Sequence, residues 1–178
     1  MKSVSLSLVT WVLASLLSSC ALNKSSPKSL PVLMVLRLKW MDDVAEAKQA
    51  KALPIFDPVR EAELLRTMTQ RGVAAGLKAE NVRRFFNGQM QAAKGVQEEW
   101  LQQHPPGTPA SKSVPDLTQT VRPALDEIGR QMIARLAQPR TAGESAAILT
   151  AARERLARAG YSEAVMRPAL EGLKAGVQ

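Results

Sequence analysis

The chain of 178 residues contains one cysteine, Cys20, and one histidine, His104. A single thiol cannot close an internal disulfide, so burial of a core has to hold the fold. This shortage excludes a His/Cys metal site and argues against a Ser–His–Asp triad. His104 sits in QQHPPG, a loop in which the ring is expected to be solvated. Aromatic residues are scarce, at 4%, and β-branched residues are scattered. No segment carries a strand signal of any strength, and there is no internal repeat. A dense basic run, basic–aromatic interleaving and zinc-type spacings are all missing as well. The formal net charge of +8 therefore does not point to nucleic acid, and it suits a small anionic substrate better.

What is present is helix-forming. Ala, Leu, Arg, Lys, Gln and Glu dominate, and the hydrophobic fraction of 46% allows a sizeable core. The expectation is one all-α domain, a bundle of about six helices.

The first 21 residues are set apart from that domain. Met1-Lys2 precedes a charge-free apolar run, Val4 to Leu17, too short to span a bilayer comfortably, and small residues follow. This is the pattern of a secretory signal, so export to the periplasm or medium is expected. Two endings stay open. Leu17-Ser18-Ser19-Cys20 resembles a lipobox, which would place a lipid anchor on Cys20, whereas Ser19 and Ala21 fit cleavage after Ala21. Residues 22–31 (LNKSSPKSLP) read as a tether, and 32–178 as the helical domain.

Within it, a first helix is expected over about 32–51 and is broken by ALPIFDP. Asp57 is a good N-cap with Pro58 at the first helical position, starting a second helix that ends at Gly76. A third runs over about 79–103 and stops at HPPGTP. Asp116 and Thr118 are candidate caps for a fourth, to about residue 137. Two shorter amphipathic helices follow, near 143–159 and 162–175.

Helical neighbours recur at three, four, seven and eleven residues. On that spacing Arg37, Met41, Val44 and Lys48 share one stripe, and Glu61, Leu64, Leu65 and Met68 share another, with Arg60 at its edge. Phe86, Met90, Ala93, Gln97 and Trp100 form a third, with Gln97 where an apolar residue is expected. Val121, Leu125, Ile128 and Met132 form a fourth, flanked by Arg122. Several helices thus aim polar groups inward. The ordinary reading is that each one snorkels to the rim or pairs locally, for example Glu61 with Lys48. Taken together, however, Arg37, Lys48, Arg60 and Arg122 outnumber Asp57 and Glu61. A buried surplus of cations costs several kcal/mol, as an order of magnitude, unless an anion joins it. Arginine forks favour carboxylate or phosphate as that anion.

Over about residues 33–132, the stretches RLKWMDDVAEAK, LPIFDPVRE, VRRFFNGQMQAAKGVQEEW and VRPALDEIGRQM together resemble the helical chorismate mutases, in their exported bacterial subclass. The resemblance implies a substrate, chorismate, and roles for single residues. Arg37 and Arg60 match the arginines that bind its carboxylates. Lys48 matches the lysine on the ether oxygen and a carboxylate. Asp57 and Glu61 match carboxylates near the ring hydroxyl, and Gln97 matches the residue opposite the lysine on the ether oxygen. Arg122 matches a further arginine that dimeric relatives borrow from a partner chain, although a one-residue shift would put Val121 there; a homodimer is therefore an expectation too. Ala93 falls where some relatives have Ser or Thr, leaving only backbone contact. Beyond about Leu136 no motif is recognised, and a disulfide that some relatives carry there has no cysteine to make it.

The implied reaction is the Claisen rearrangement of chorismate to prephenate, a step of the shikimate pathway toward aromatic amino acids that calls for no metal or cofactor. Two readings compete. A non-catalytic exported helical protein, an adaptor or binder of small anions, would share the cationic pocket but would not need Gln97 facing Lys48. A basic protein for anionic lipid or polymer would spread its charge over exposed faces.

Overall fold

The computed structural model describes residues 28–109, 114 and 116–178. The signal segment, its cleavage position and Cys20 lie outside these residues, as does most of the tether. The described chain is all-α: α1 (Leu30–Ala50), α2 (Pro58–Ala74), α3 (Ala79–Gln103), α4 (Arg122–Leu136), α5 (Ala142–Arg158) and α6 (Glu163–Gly176). A π-helical turn, Leu117–Val121, leads into α4.

The first helix begins two residues earlier than the sequence suggested. Leu30 and Pro31 are buried members of α1 rather than tether. Pro31 stands within the first turn, where its missing N–H leaves no intrahelical bond unmade. Asp57 caps α2 as expected, its carboxylate accepting from the Arg60 N–H at 3.0 Å. Asp116, and not Thr118, caps the next helical segment: its Oδ1 accepts from the N–H groups of Thr118 (2.7 Å) and Gln119 (2.6 Å). The wide turn that follows has a local cause. Pro123 brings no N–H, and its ring would clash with the carbonyl four residues back in an ordinary α-turn, so the backbone opens before α4 tightens.

The long helix α3 is the centre of the bundle. It packs against α1, α2 and, most extensively, α6, while α4 and α5 close against α1. The core is built from Leu33, Met34 and Leu38 of α1, Met68 of α2, Phe85 and Phe86 of α3, Met132 of α4, Leu156 of α5 and Leu173 of α6. Phe85 and Phe86 meet edge to face, with ring centroids 5.0 Å apart. The crossing of α3 and α6 is a glycine contact. A Cβ built on Gly88 would stand 2.3 Å from the Pro168 carbonyl oxygen and 2.9 Å from the Cα of Gly172. Helix α6, which carries no recognised motif, thus holds α3 from behind and fixes the face it turns toward α1 and α2.

Candidate active site

That face borders an open-mouthed cavity. All eight residues singled out in the sequence line it: Arg37, Lys48, Asp57, Arg60, Glu61, Ala93, Gln97 and Arg122. They come from α1, the 51–57 segment, α2, α3 and the start of α4, all within one chain. Apolar walls come from Met41, Val44, Leu64, Met90, Val121 and Leu125.

The cations differ in how they are held. Arg37 is 5% exposed, and its Nε is buried without a hydrogen-bond partner among the described residues. Burial alone pulls its guanidinium down to about 10. A shift of that kind on an arginine means desolvation that no acid offsets. Lys48 is half-buried, and its Nζ donates to the Ile55 carbonyl at 2.6 Å. Burial lowers its pKa from the ordinary lysine value; Asp57 and Glu61 pull the other way, and Arg122 adds to the lowering. Arg60 stands at the rim with Nη1 2.9 Å from Glu63. Arg122 donates a long hydrogen bond, 3.5 Å, to the Thr118 hydroxyl.

Gln97 is 5% exposed. Its Nε2 donates to the Ala93 carbonyl at 3.0 Å, and its Oε1 has no partner. An amide NH₂ carries two donors: beside the bond to Ala93, Nε2 lies 3.9 Å from Met41 Sδ, a weak acceptor that a ligand oxygen would outcompete. The backbone of Ala93, not its side chain, therefore sets the orientation of Gln97.

Two local pairings differ from the sequence reading. Glu61 pairs with Lys94, Oε2 to Nζ at 3.2 Å, and not with Lys48; Lys48 is instead turned to the backbone of the 51–57 segment. His104 is not simply solvated. Its ring stacks on Trp100, centroids 4.1 Å apart, and its carbonyl accepts from Gln49 Nε2 at 2.7 Å. Neither Trp100 nor His104 lines the cavity. Lys94 and Asp126, which do line it, were missed. Lys94 was within reach of periodicity, because it falls four residues after Met90 and three before Gln97 on the same stripe. Asp126 pairs with Arg71 at 2.7 Å, tying α4 to α2. The Ile55 carbonyl could not have been found, since backbone groups leave no mark in a sequence. Among the described residues no group of three or more His, Cys, Asp or Glu is placed to hold a metal ion.

Chemically, the cavity presents five cations to three carboxylates, with the most buried cation without an acid partner among the described residues and an amide donor nearby. It is suited to an anion larger and more complex than a halide or phosphate.

Comparison with known proteins agrees with this chemistry. Residues 30–98 match the family model for chorismate mutase type II. A secreted chorismate mutase of Yersinia pestis is 28% identical over 106 residues, covering 57% of this chain and 54% of that protein. The chain thus matches about half the length of this curated relative. A chorismate mutase from Burkholderia thailandensis superposes with a TM-score of 0.70 at 26% identity, over 83% of this chain and 96% of the other. The crystal structure of the secreted Yersinia pestis enzyme gives 0.65 at 23% identity, over 81% and 94%, and at that identity shares the fold.

Proposed function

We propose that this chain, whose residues 30–98 match the model of the type II chorismate mutases, belongs to that family and converts chorismate to prephenate. The reaction is a unimolecular Claisen rearrangement: the ether C–O bond breaks as a new C–C bond forms, with no proton gained or lost overall. The enzyme has to hold a flexible dianion in its compact conformer and to stabilise the negative charge that grows on the ether oxygen.

The residues divide that work. Arg37, buried and pre-formed, takes one substrate carboxylate, and Arg60 at the rim takes the other, exchanging Glu63 for the ligand. Lys48 donates to the ether oxygen and a carboxylate once it leaves the Ile55 carbonyl. The second N–H of Gln97 exchanges its weak contact with Met41 Sδ for the same oxygen, from α3. Asp57 and Glu61 lie near the ring hydroxyl, Ala93 acts through its carbonyl on Gln97, and Arg122 supplies a further cation at the α4 side. The observation that carries the reading is Arg37: a buried guanidinium without an acid partner, in one cavity with a lysine and a half-satisfied amide. Such a charge is destabilising unless a ligand completes it.

The direct test is loss of chorismate absorbance with the purified protein, and appearance of prephenate. Binding of chorismate without turnover would instead mark a non-catalytic anion binder.

Export is proposed on the N-terminal pattern and on the secreted relative. Palmitate labelling in the native host separates its two endings. Label on Cys20 establishes the anchor, whereas no label and a mature N-terminus at Leu22 establish cleavage after Ala21. Arg122 lines the same chain's cavity as Arg37 and Lys48, so the proposed site is complete without the partner chain that the sequence led one to expect.

A further inference from the structure

Lys94 is a cavity cation that the chemistry above does not use. It enters from α3, one turn before Gln97. Its side chain is 19% exposed and that of its partner Glu61 is 23% exposed. Besides the 3.2 Å contact with Glu61, its Nζ lies 5.1 Å from the centroid of the Phe56 ring, close enough for a cation–π contact.

These two partners bracket the start of α2. Phe56 is the last residue before the Asp57 cap, and Glu61 is in the first turn. This part of the chain is poorly fastened by apolar burial: Leu53, Phe56 and Val59 are all exposed, Val59 by 79%. Ala52, just before it, adopts a positive φ of 51°, a conformation that stabilises nothing by itself. The side-chain ties that hold it against the bundle are lysines. Lys48 of α1 reaches the Ile55 carbonyl, and Lys94 of α3 reaches Phe56 and Glu61. The segment they pin carries Asp57, Arg60 and Glu61, three of the groups around the cavity.

We propose that Lys94 is a positioning residue, which clamps residues 53–61 to α3 and thereby sets Asp57, Arg60 and Glu61 against Gln97. The clamp itself follows from the geometry; its effect on turnover rests on the reaction proposed above. A lysine is suited to the task, because its charge engages the carboxylate and the ring face at once while its stem stays packed. It works through the α2 groups and not on the breaking bond, so its loss is felt in substrate capture more than in the chemical step.

Three full-length proteins are compared: wild type, Lys94→Met, which keeps the stem and removes the charge, and Lys94→Arg, which keeps the charge. Hydrogen exchange is read at the amides of 53–61, and kcat and KM are read separately with chorismate. In Lys94→Met, exchange over 53–61 is expected to quicken several-fold with the α3–α6 core amides unchanged. KM is expected to rise on the order of tenfold, equivalent to about 1.4 kcal/mol, with kcat nearly unchanged. Lys94→Arg should return both toward wild type. Wild-type exchange over 53–61 in Lys94→Met overturns the clamp, and so does a fall confined to kcat. A wild-type protein that turns over no chorismate defeats the proposed reaction alone, because the exchange measurement still decides for or against the clamp.

Discussion

At Gln97 a neutral amide stands where helical periodicity asks for an apolar side chain; one N–H is bound to the Ala93 carbonyl and the other meets only the weak acceptor Met41 Sδ, which a ligand oxygen can displace. A glutamine does not titrate, so the wild-type rate is expected to stay level through neutral pH. It should fall on the alkaline side as Lys48 loses its proton, at a pH below the ordinary lysine value because burial favours the neutral amine. The sign for stability is opposite. A cation whose folded-state pKa lies below its unfolded value favours folding more as pH rises between the two, so this group lowers the rate there without loosening the fold. Gln97→Glu changes the acidic limb. Its carboxyl donates only when protonated, and when ionised it repels the developing oxyanion. That variant should be active at low pH and lose rate as pH rises through the new carboxyl's pKa, whereas Gln97→Ala should lose about 10²–10³ in kcat at every pH, the scale of one oxyanion donor. Profiles of kcat/KM from about pH 4 to pH 9 decide: a Gln97→Glu profile parallel to wild type would remove residue 97 from the ether oxygen. Gln89 offers a contrast on the same helix. It is fully buried, neither end of its amide has a partner among the described residues, and it does not line the cavity. Each unmet polar group costs about 1–3 kcal/mol, so the near-isosteric Gln89→Met is expected to stabilise by about 1 kcal/mol, raising Tm by about 2–4 °C with unchanged kcat. A lowered Tm in a thermal scan would mean that a buried water satisfies the amide.

Among the elements, α3 carries the site on one side and is fixed by α6 on the other, and the fixing depends on two hydrogens in place of side chains. A Cβ on Gly88 meets backbone atoms of α6 at 2.3 and 2.9 Å, and one on Gly172 meets the Phe85 and Arg84 carbonyl oxygens at 2.9 and 3.0 Å. Backbone cannot rotate away as a flexible side chain can, so Gly88→Ala has to push the helices apart. The expected cost is about 3 kcal/mol, the upper end for overpacking, visible as an earlier urea midpoint. Gly143→Ala, at the exposed start of α5 with only the Thr141 hydroxyl within 4 Å, is the control and should be close to neutral. None of this crossing was legible in the sequence, where Gly88 and Gly172 look like ordinary weak points in helices. The helices themselves were legible, because capping and periodicity are local: Asp57 and Pro58 mark the start of α2 as plainly in sequence as in space. The π-turn before α4 was not, since Pro123 could equally have ended the helix, and the start of α1 was misjudged because Leu30 and Pro31 sit in tether-like composition. At the site, side chains on stripes were found by their spacing, including the misfit Gln97. What escaped were partners between elements, Lys94 of α3 taking Glu61 of α2 and the Ile55 carbonyl taking Lys48 of α1; the i,i+3 pair of Arg60 and Glu63 within α2 was within reach of helical spacing. Which of several nearby charges pair is set by rotamer and backbone position, and a sequence does not record either.

At the scale of the molecule, the question is whether one chain is a complete catalyst. The cavity's cations come from α1, α2, α3 and the start of α4 of a single chain, and Arg122, the position matched to an arginine that dimeric relatives borrow, lines the same cavity as Arg37 and Lys48. Five cations of one chain already exceed its three cavity carboxylates, so a dianion finds its counter-charge without a second copy. If association completed the site, mass action would govern activity and dilution would abolish it. The expectation here is a constant rate per chain from micromolar to nanomolar protein. Constancy alone could also reflect a very tight dimer, so a second measurement is needed. Arg37→Ala and Arg122→Ala are each expected to be severely impaired. If Arg122 serves its own chain's cavity, every site in a mixture of the two variants still lacks one arginine, and unfolding and refolding them together restores nothing. If Arg122 reaches into a partner's cavity, the mixture contains sites that draw Arg37 from one variant and Arg122 from the other, and a fraction of the wild-type rate returns. No recovery, with a constant rate on dilution, identifies the single chain as the working unit; recovery on mixing would place Arg122 across an interface and make the dimer the enzyme.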